Sequence, residues 1–123
     1  MNTEEVAKKV VELCRKQAWN EAIELLYADD VVSVEARTMD GSSPETRGIQ
    51  GVREKVEWWK TNMEVHGVKV GEPFVSHDRF VVPFDLDVTD KNSKNRMQMS
   101  EVGVYTVKDG KITHEQFFPA VGP

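Results

Sequence analysis

The chain has 123 residues, 39% hydrophobic and 30% charged, with 16 Lys+Arg against 21 Asp+Glu and a formal net charge of −5. This length fits one domain over residues 1–123 with a single core, and the composition excludes a disordered chain. There is no basic stripe interleaved with aromatics, no apolar run near the roughly 20 residues that cross a bilayer, and no signal-peptide core in MNTEEVAKKV. A cytoplasmic protein with neither nucleic acid nor membrane as partner is expected.

Thr3 with Glu4 and Glu5 begins a helix, along which Val6, Val10, Leu13 and Cys14 recur at helical spacing to about Gln17. Cys14, the only cysteine, lies inside that apolar stripe with no recognisable base or cation beside it, so it reads as a small core residue and not a nucleophile. Asn20 can cap a second, shorter helix carrying Ala22, Ile23, Leu26 and Tyr27. From Val31 to Arg37 the period becomes that of a strand. Simple alternation puts Val32, Val34 and Ala36 on one face and Ser33, Glu35 and Arg37 on the other, which by itself leaves Glu35 facing solvent.

Residues 38–48, TMDGSSPETRG, read as a loop. The stretch IQGVREKVEWWKTNM predicts a third helix over 49–63, with Val52, Val56, Trp59 and Met63 on one buried stripe while Arg53, Glu57 and Lys60 face elsewhere. From Val68 onward come VKV, then PFVSHDRFVVPFDLDV with a hinge at residues 76–79, the turn DKNSKN, RMQMSEVGVYTV, the turn KDGK, and ITHEQFF. They predict an antiparallel meander of four strands covered by the preceding helices, an α+β arrangement.

The KDGK hairpin admits two registers. A two-residue loop at Asp109 and Gly110 pairs Tyr105 with His114. A three-residue loop, with Gly110 as a left-handed bulge, pairs Tyr105 with Thr113 and puts Glu101, Gly103, Tyr105, Glu115 and Phe117 on one face. One residue of slip exchanges His114 for Glu115 on that face.

YADDVVSVEA, RGIQGVREKVEWW, VVPFDLDV and GVYTVKDGKITHEQFF, in this order and spacing, resemble the nuclear-transport-factor-two-like superfamily, in particular its SnoaL-like and ketosteroid-isomerase-like branches. The resemblance implies a cone: a curved, mostly antiparallel sheet wrapped around three helices, a cystatin-like α+β barrel enclosing a cavity and dimerising through the outer sheet face. It turns Glu35 inward, because the isomerases carry their aspartate base eight residues after the corresponding tyrosine, here Tyr27. It also favours the bulged turn, since relatives place cavity residues at positions matching 101, 103, 115 and 117.

The implied lining is Tyr27, Trp59, Met63, Phe84, Leu86, Met99, Gly103, Tyr105 and Phe117, core first and pocket second. The implied catalytic set is Glu35, Glu101 and Glu115. Three such acids in an apolar hollow cannot all ionise cheaply, so one should hold a proton and form an acid–base pair with another. The bland alternative is a structural network neutralised by Arg37 or by solvent.

Ligand-like spacing for a metal is absent, and no cofactor is expected. His66 reads as a helix-end cap and His77 as an exposed turn residue. The isomerases' oxyanion-hole tyrosine is matched by Val11 and their protonated aspartate by Gly103, so steroid isomerisation is not expected. SnoaL-like cyclases carry an acidic residue in their late strands, a place Glu101 or Glu115 could fill by type. The expected function is binding of a small cyclic or hydrophobic molecule with acid–base chemistry of the isomerase, cyclase or hydratase kind. Its rival is a non-catalytic assembly module, paired through Val102, Val104, Ile112 and Phe118.

Overall fold

Asn2 opens the first helix, α1 (Thr3–Arg15), by a reciprocal cap: its side chain accepts from Glu5 N at 2.9 Å, and the Glu5 carboxylate accepts from Asn2 N at 3.0 Å. Val6, Val10, Leu13 and Cys14, spaced for one helical face, are all buried. At the other end Arg15 donates two hydrogen bonds to the Val70 carbonyl, tying the helix to the sheet. The second helix, α2 (Trp19–Leu26), starts after Ala18 with no side-chain cap. Asn20 therefore does not cap it. Its amide donates to Glu57 and accepts from Lys60, which fastens α2 to the third helix, α3 (Ile49–Asn62).

The computed structural model describes residues 1–36 and 43–120. Arg37, offered above as a neutralising group, lies outside them. The strands are β1 (Tyr27–Val34), β2 (Glu45–Arg47), β3 (Met63–Val70), β4 (Phe74–Ser76), β5 (Arg79–Asp90), β6 (Arg96–Lys108) and β7 (Lys111–Pro119). They form one curved, unclosed mixed sheet in the order β2-β1-β7-β6-β5-β3, with β4 pairing β5. Only the β1–β7 pairing is parallel among these.

Several boundaries differ from the sequence reading. Tyr27 is extended, the first residue of β1 and not the last of α2. Part of the expected loop forms β2, which adds an edge strand beside β1. Met63 is the first residue of β3 and not the last of α3, and β3 runs unbroken past the expected start at Val68, with an irregularity between Val65 and Gly67.

The last hairpin takes neither sequence register whole. Lys108 pairs with Lys111 across Asp109 (φ 52) and Gly110 (φ 76), a two-residue turn in the left-handed region, so the favoured three-residue turn is absent. The extra residue enters one step later, at Thr113, between the pairs Val107/Ile112 and Thr106/His114. Tyr105 therefore faces Glu115, and Gly103 faces Phe117. The bulge lets Ile112 and Glu115, three apart, both point inward, and both are buried. Ile112 is thus a core residue and not part of the outer pairing face.

The core joins α1 and α2 to the concave face of the sheet, with Phe80, Leu26 and Ile112 among its largest fully buried side chains. Burying one such side chain contributes about 1.5–3 kcal/mol. The Phe80 ring stacks on Tyr105 at 4.7 Å, and Tyr105 meets Phe117 edge-on at 6.2 Å.

Candidate functional site

Beyond the packed core, the concave face carries the acids. Along β1, Val31 and Ser33 are fully buried while Val32 and Val34 are only half-buried. The inward parity is therefore that of Ser33, and Glu35, one residue past the strand, continues it. On β6, Glu101 pairs with Phe84 of β5 and shares the inward parity of Gly103 and Tyr105. On β7, Glu115 is 3% exposed. The three glutamates picked from the sequence thus lie on one side of the sheet.

Glu115 is fully provided with donors. Tyr27 Oη donates to its Oε1 at 2.5 Å and Ser33 Oγ to its Oε2 at 2.6 Å. Lys55 of α3 then donates to Ser33 Oγ at 2.6 Å and to Glu35 Oε1 at 3.0 Å. One continuous chain of hydrogen bonds therefore runs from Tyr27 through the buried carboxyl to a half-exposed ion pair.

Lys55 and Ser33 are the members the sequence reading missed. Lys55 stands three residues after Val52 and four before Trp59, on the stripe expected to be buried. A lysine on an apolar stripe was the available signal. Among the described residues, Lys55 supplies the cation here.

The same geometry sets the charges. Burial pushes the Glu115 carboxyl above its ordinary value, while Ser33, Tyr27 and Lys55 pull it back. Glu101 has no such donors among the described residues: burial first, then the charges of Glu35 and Glu115, raise it from 4.5 to about 7, against a smaller pull from Lys55. Desolvation holds the Tyr27 and Tyr105 phenols well above their usual range. Burial, reinforced by Glu115, pushes the Cys14 thiol up to about 12, which suits the inert core residue expected there.

The remaining predicted lining divides in two. Tyr105 and Phe117 crowd Gly103: a Cβ built there would sit 2.8 Å from Tyr105 Cε2 and 3.1 Å from Phe117 Cε1. The place where the isomerases carry an acid is thus filled by aromatic rings. Trp59, Leu86 and Met99 are half-buried, Leu86 pairing with Met99 across β5 and β6, so water reaches this end of the concave face. Met63 is buried opposite Asp90 and stands apart from the main core cluster. Two surface hollows lie away from the acids, one beside α1 at Arg15 and Glu72, the other on the outer sheet face around Val104 and Phe118.

Three helices held against a curved, unclosed sheet define a nuclear-transport-factor-two-like, cystatin-like architecture. The SnoaL-like domain model matches residues 1–119, and the chain belongs to that family. A crystal structure from Mesorhizobium loti, provisionally named a SnoaL-like polyketide cyclase [carbohydrate phosphatase], is 42% identical over 96% of this chain and 99% of its own, with a TM-score of 0.89. An NTF2-like protein of unknown function from Burkholderia pseudomallei superposes at a TM-score of 0.78, with 18% identity over 98% of this chain and 92% of its own. A Bacillus subtilis protein provisionally named an isomerase gives 0.80, with 15% identity over 98% and 90%. The latter two bear on fold alone. No curated protein matches. Among the described residues no helix is long and apolar enough to cross a membrane.

Proposed function

We propose that the acid end of the concave face binds a small, cyclic or partly hydrophobic molecule and moves a proton on it. Glu101 is the proton-holding acid and the Glu35 carboxylate the base. The observation that carries this reading is the contrast among the three glutamates. Glu115 has both oxygens occupied by donors and Glu35 is paired with Lys55, whereas Glu101 is driven to about 7 with no donor of its own among the described residues. Two carboxyls in one site with divided protonation are what acid–base chemistry near neutral pH requires.

Glu115, assigned a catalytic role from the sequence, serves in this reading as a fixed anion. Leu86, Met99, Trp59 and Phe117, half-buried around the acids, provide apolar surface for a ring. The polyketide-cyclase part of the 42% identical relative's provisional name supports such a substrate class. Ketosteroid isomerisation is not part of this reading, because Val11 and Gly103 offer no oxyanion donors. Glu35 and Glu101 suffice for this proposed proton transfer without a metal or cofactor, and its proposed setting is the cytoplasm.

The test is a thermal-shift screen of cyclic, enolisable compounds on the wild type, followed by turnover assays of hits with Glu35→Gln and Glu101→Gln. Each substitution is expected to lower turnover roughly 100-fold or more while the fold is kept. Hits turned over equally well by both variants would remove the acid–base reading. The second reading, a non-catalytic dimeric module, is favoured by one observation: Phe118 is 49% exposed on the outer face beside Val102 and Val104. A screen without binders, together with a stable dimer, would select it.

A further inference from the structure

The hydrogen-bond chain at the acid end has a direction that elementary chemistry fixes. An ammonium only donates. With Lys55 Nζ 2.6 Å from Ser33 Oγ, the single Ser33 proton is left for Glu115 Oε2, also at 2.6 Å. A proton on Glu115 Oε2 would leave the buried Ser33 hydroxyl proton with no acceptor among the described residues, so Oε2 accepts. At the other oxygen, Tyr27 donates at 2.5 Å. Were Glu115 neutral, its proton would have to sit on Oε1 and turn the Tyr27 O–H out of its only hydrogen bond to a described residue, leaving a desolvated donor unpaired. Only an ionised Glu115 satisfies every member while Lys55 is charged.

We propose that Lys55 is a positioning residue: through Ser33 it sets the direction of this chain and keeps Glu115 an anion, so that the proton held among the three acids resides on Glu101. Among the described residues, the groups facing Glu115 are Cys14 from α1, Tyr27 from β1, Glu35 just past it, Lys55 from α3, and Glu101 and Tyr105 from β6. Lys55 is the one cation in this set among the described residues. A simple attraction across space would act with or without the Ser33 hydroxyl, and that difference separates a relay from a nearby charge. The inference deepens the proposed acid–base reading, since it says why Glu101 and not Glu115 is the acid.

The ligand-free protein tests it. Side-chain carboxyl shifts of 13C-glutamate-labelled protein are followed by NMR from about pH 4 to about pH 9 in the wild type, Lys55→Met, Lys55→Arg and Ser33→Ala, with circular dichroism as the check of folding. In the wild type Glu115 is expected to lose its proton at lower pH than Glu101. Its titration is expected to move up by about one unit or more in Lys55→Met and in Ser33→Ala, with the wild-type order retained in Lys55→Arg. Glu115 titrating above Glu101 in the wild type, or unmoved in Ser33→Ala, overturns the proposal. If Lys55→Met fails to fold, Ser33→Ala and Lys55→Arg decide by the same criteria. Titrations as expected, in a protein that turns nothing over, would sink the acid–base reading and leave Lys55 its role. Turnover with an unmoved Glu115 would do the reverse.

Discussion

Glu101 is the residue whose environment is least balanced. Folding raises it from 4.5 to about 7, so between those values the native state holds a proton that the unfolded chain has released. Stability falls as pH rises through that window, is unaffected below it, and stays lower above it. The penalty is roughly 3 kcal/mol at most, at 1.36 kcal/mol per unit. Glu101→Gln removes it: urea unfolding should show the variant more stable than wild type near about pH 8 and equal to it near about pH 4. An equal difference at both values would show that the charge of Glu101 is not what burial opposes. The sequence picked out Glu101, Glu35 and Glu115 by type and position. Lys55 escaped because a lysine's helical spacing does not say whether its ammonium turns back to solvent or reaches across to β1.

At the scale of elements, the last hairpin decides which side chain enters the site. KDGK announces a turn, and Asp109 and Gly110 adopt the left-handed conformations that such a loop needs. Gly110 has no spare room: a Cβ would lie 2.9 Å from the Met1 carbonyl oxygen, at φ +76. Gly110→Ala should therefore cost about 1–2 kcal/mol in denaturant unfolding, whereas Asp109→Asn should be tolerated, because Asn enters the left-handed region readily. A Gly110→Ala variant as stable as wild type would mean that the turn relaxes without strain. The bulge at Thr113 was not legible. It exists because Ile112 and Glu115 must both face inward, and that need arises from what they meet: the core for Ile112, Tyr27 and Ser33 for Glu115. The missed cap at Asn20 has the same origin, since its amide reaches Glu57 and Lys60 on another helix.

At the scale of the whole molecule, one face of the sheet packs on helices and the other does not. Its outer positions, Val34, Val81, Val102 and Val104, are half-buried and apolar, and Phe118 lies among them 49% exposed. An antiparallel sheet can leave such a face to water, but valines suit a covering partner better. The proposed partner is a second copy of the chain. Sedimentation should give a dimer for the wild type and a monomer for Val104→Lys, with an unchanged circular dichroism spectrum. A wild type that stays monomeric at high concentration would end the dimer proposal.

What the sequence determined by itself is local and periodic. The helical stripe of α1, the alternation along β5 and β6, the turn residues between β6 and β7, and the run of strands after the third helix all follow from spacing along the chain, as does the family they resemble. Which acids share one side of the sheet, which lysine stands among them, and where one strand bulges were settled only when α3, β1, β6 and β7 came together. Desolvation and charge pairing depend on the volume that distant side chains share, and no local spacing encodes that volume.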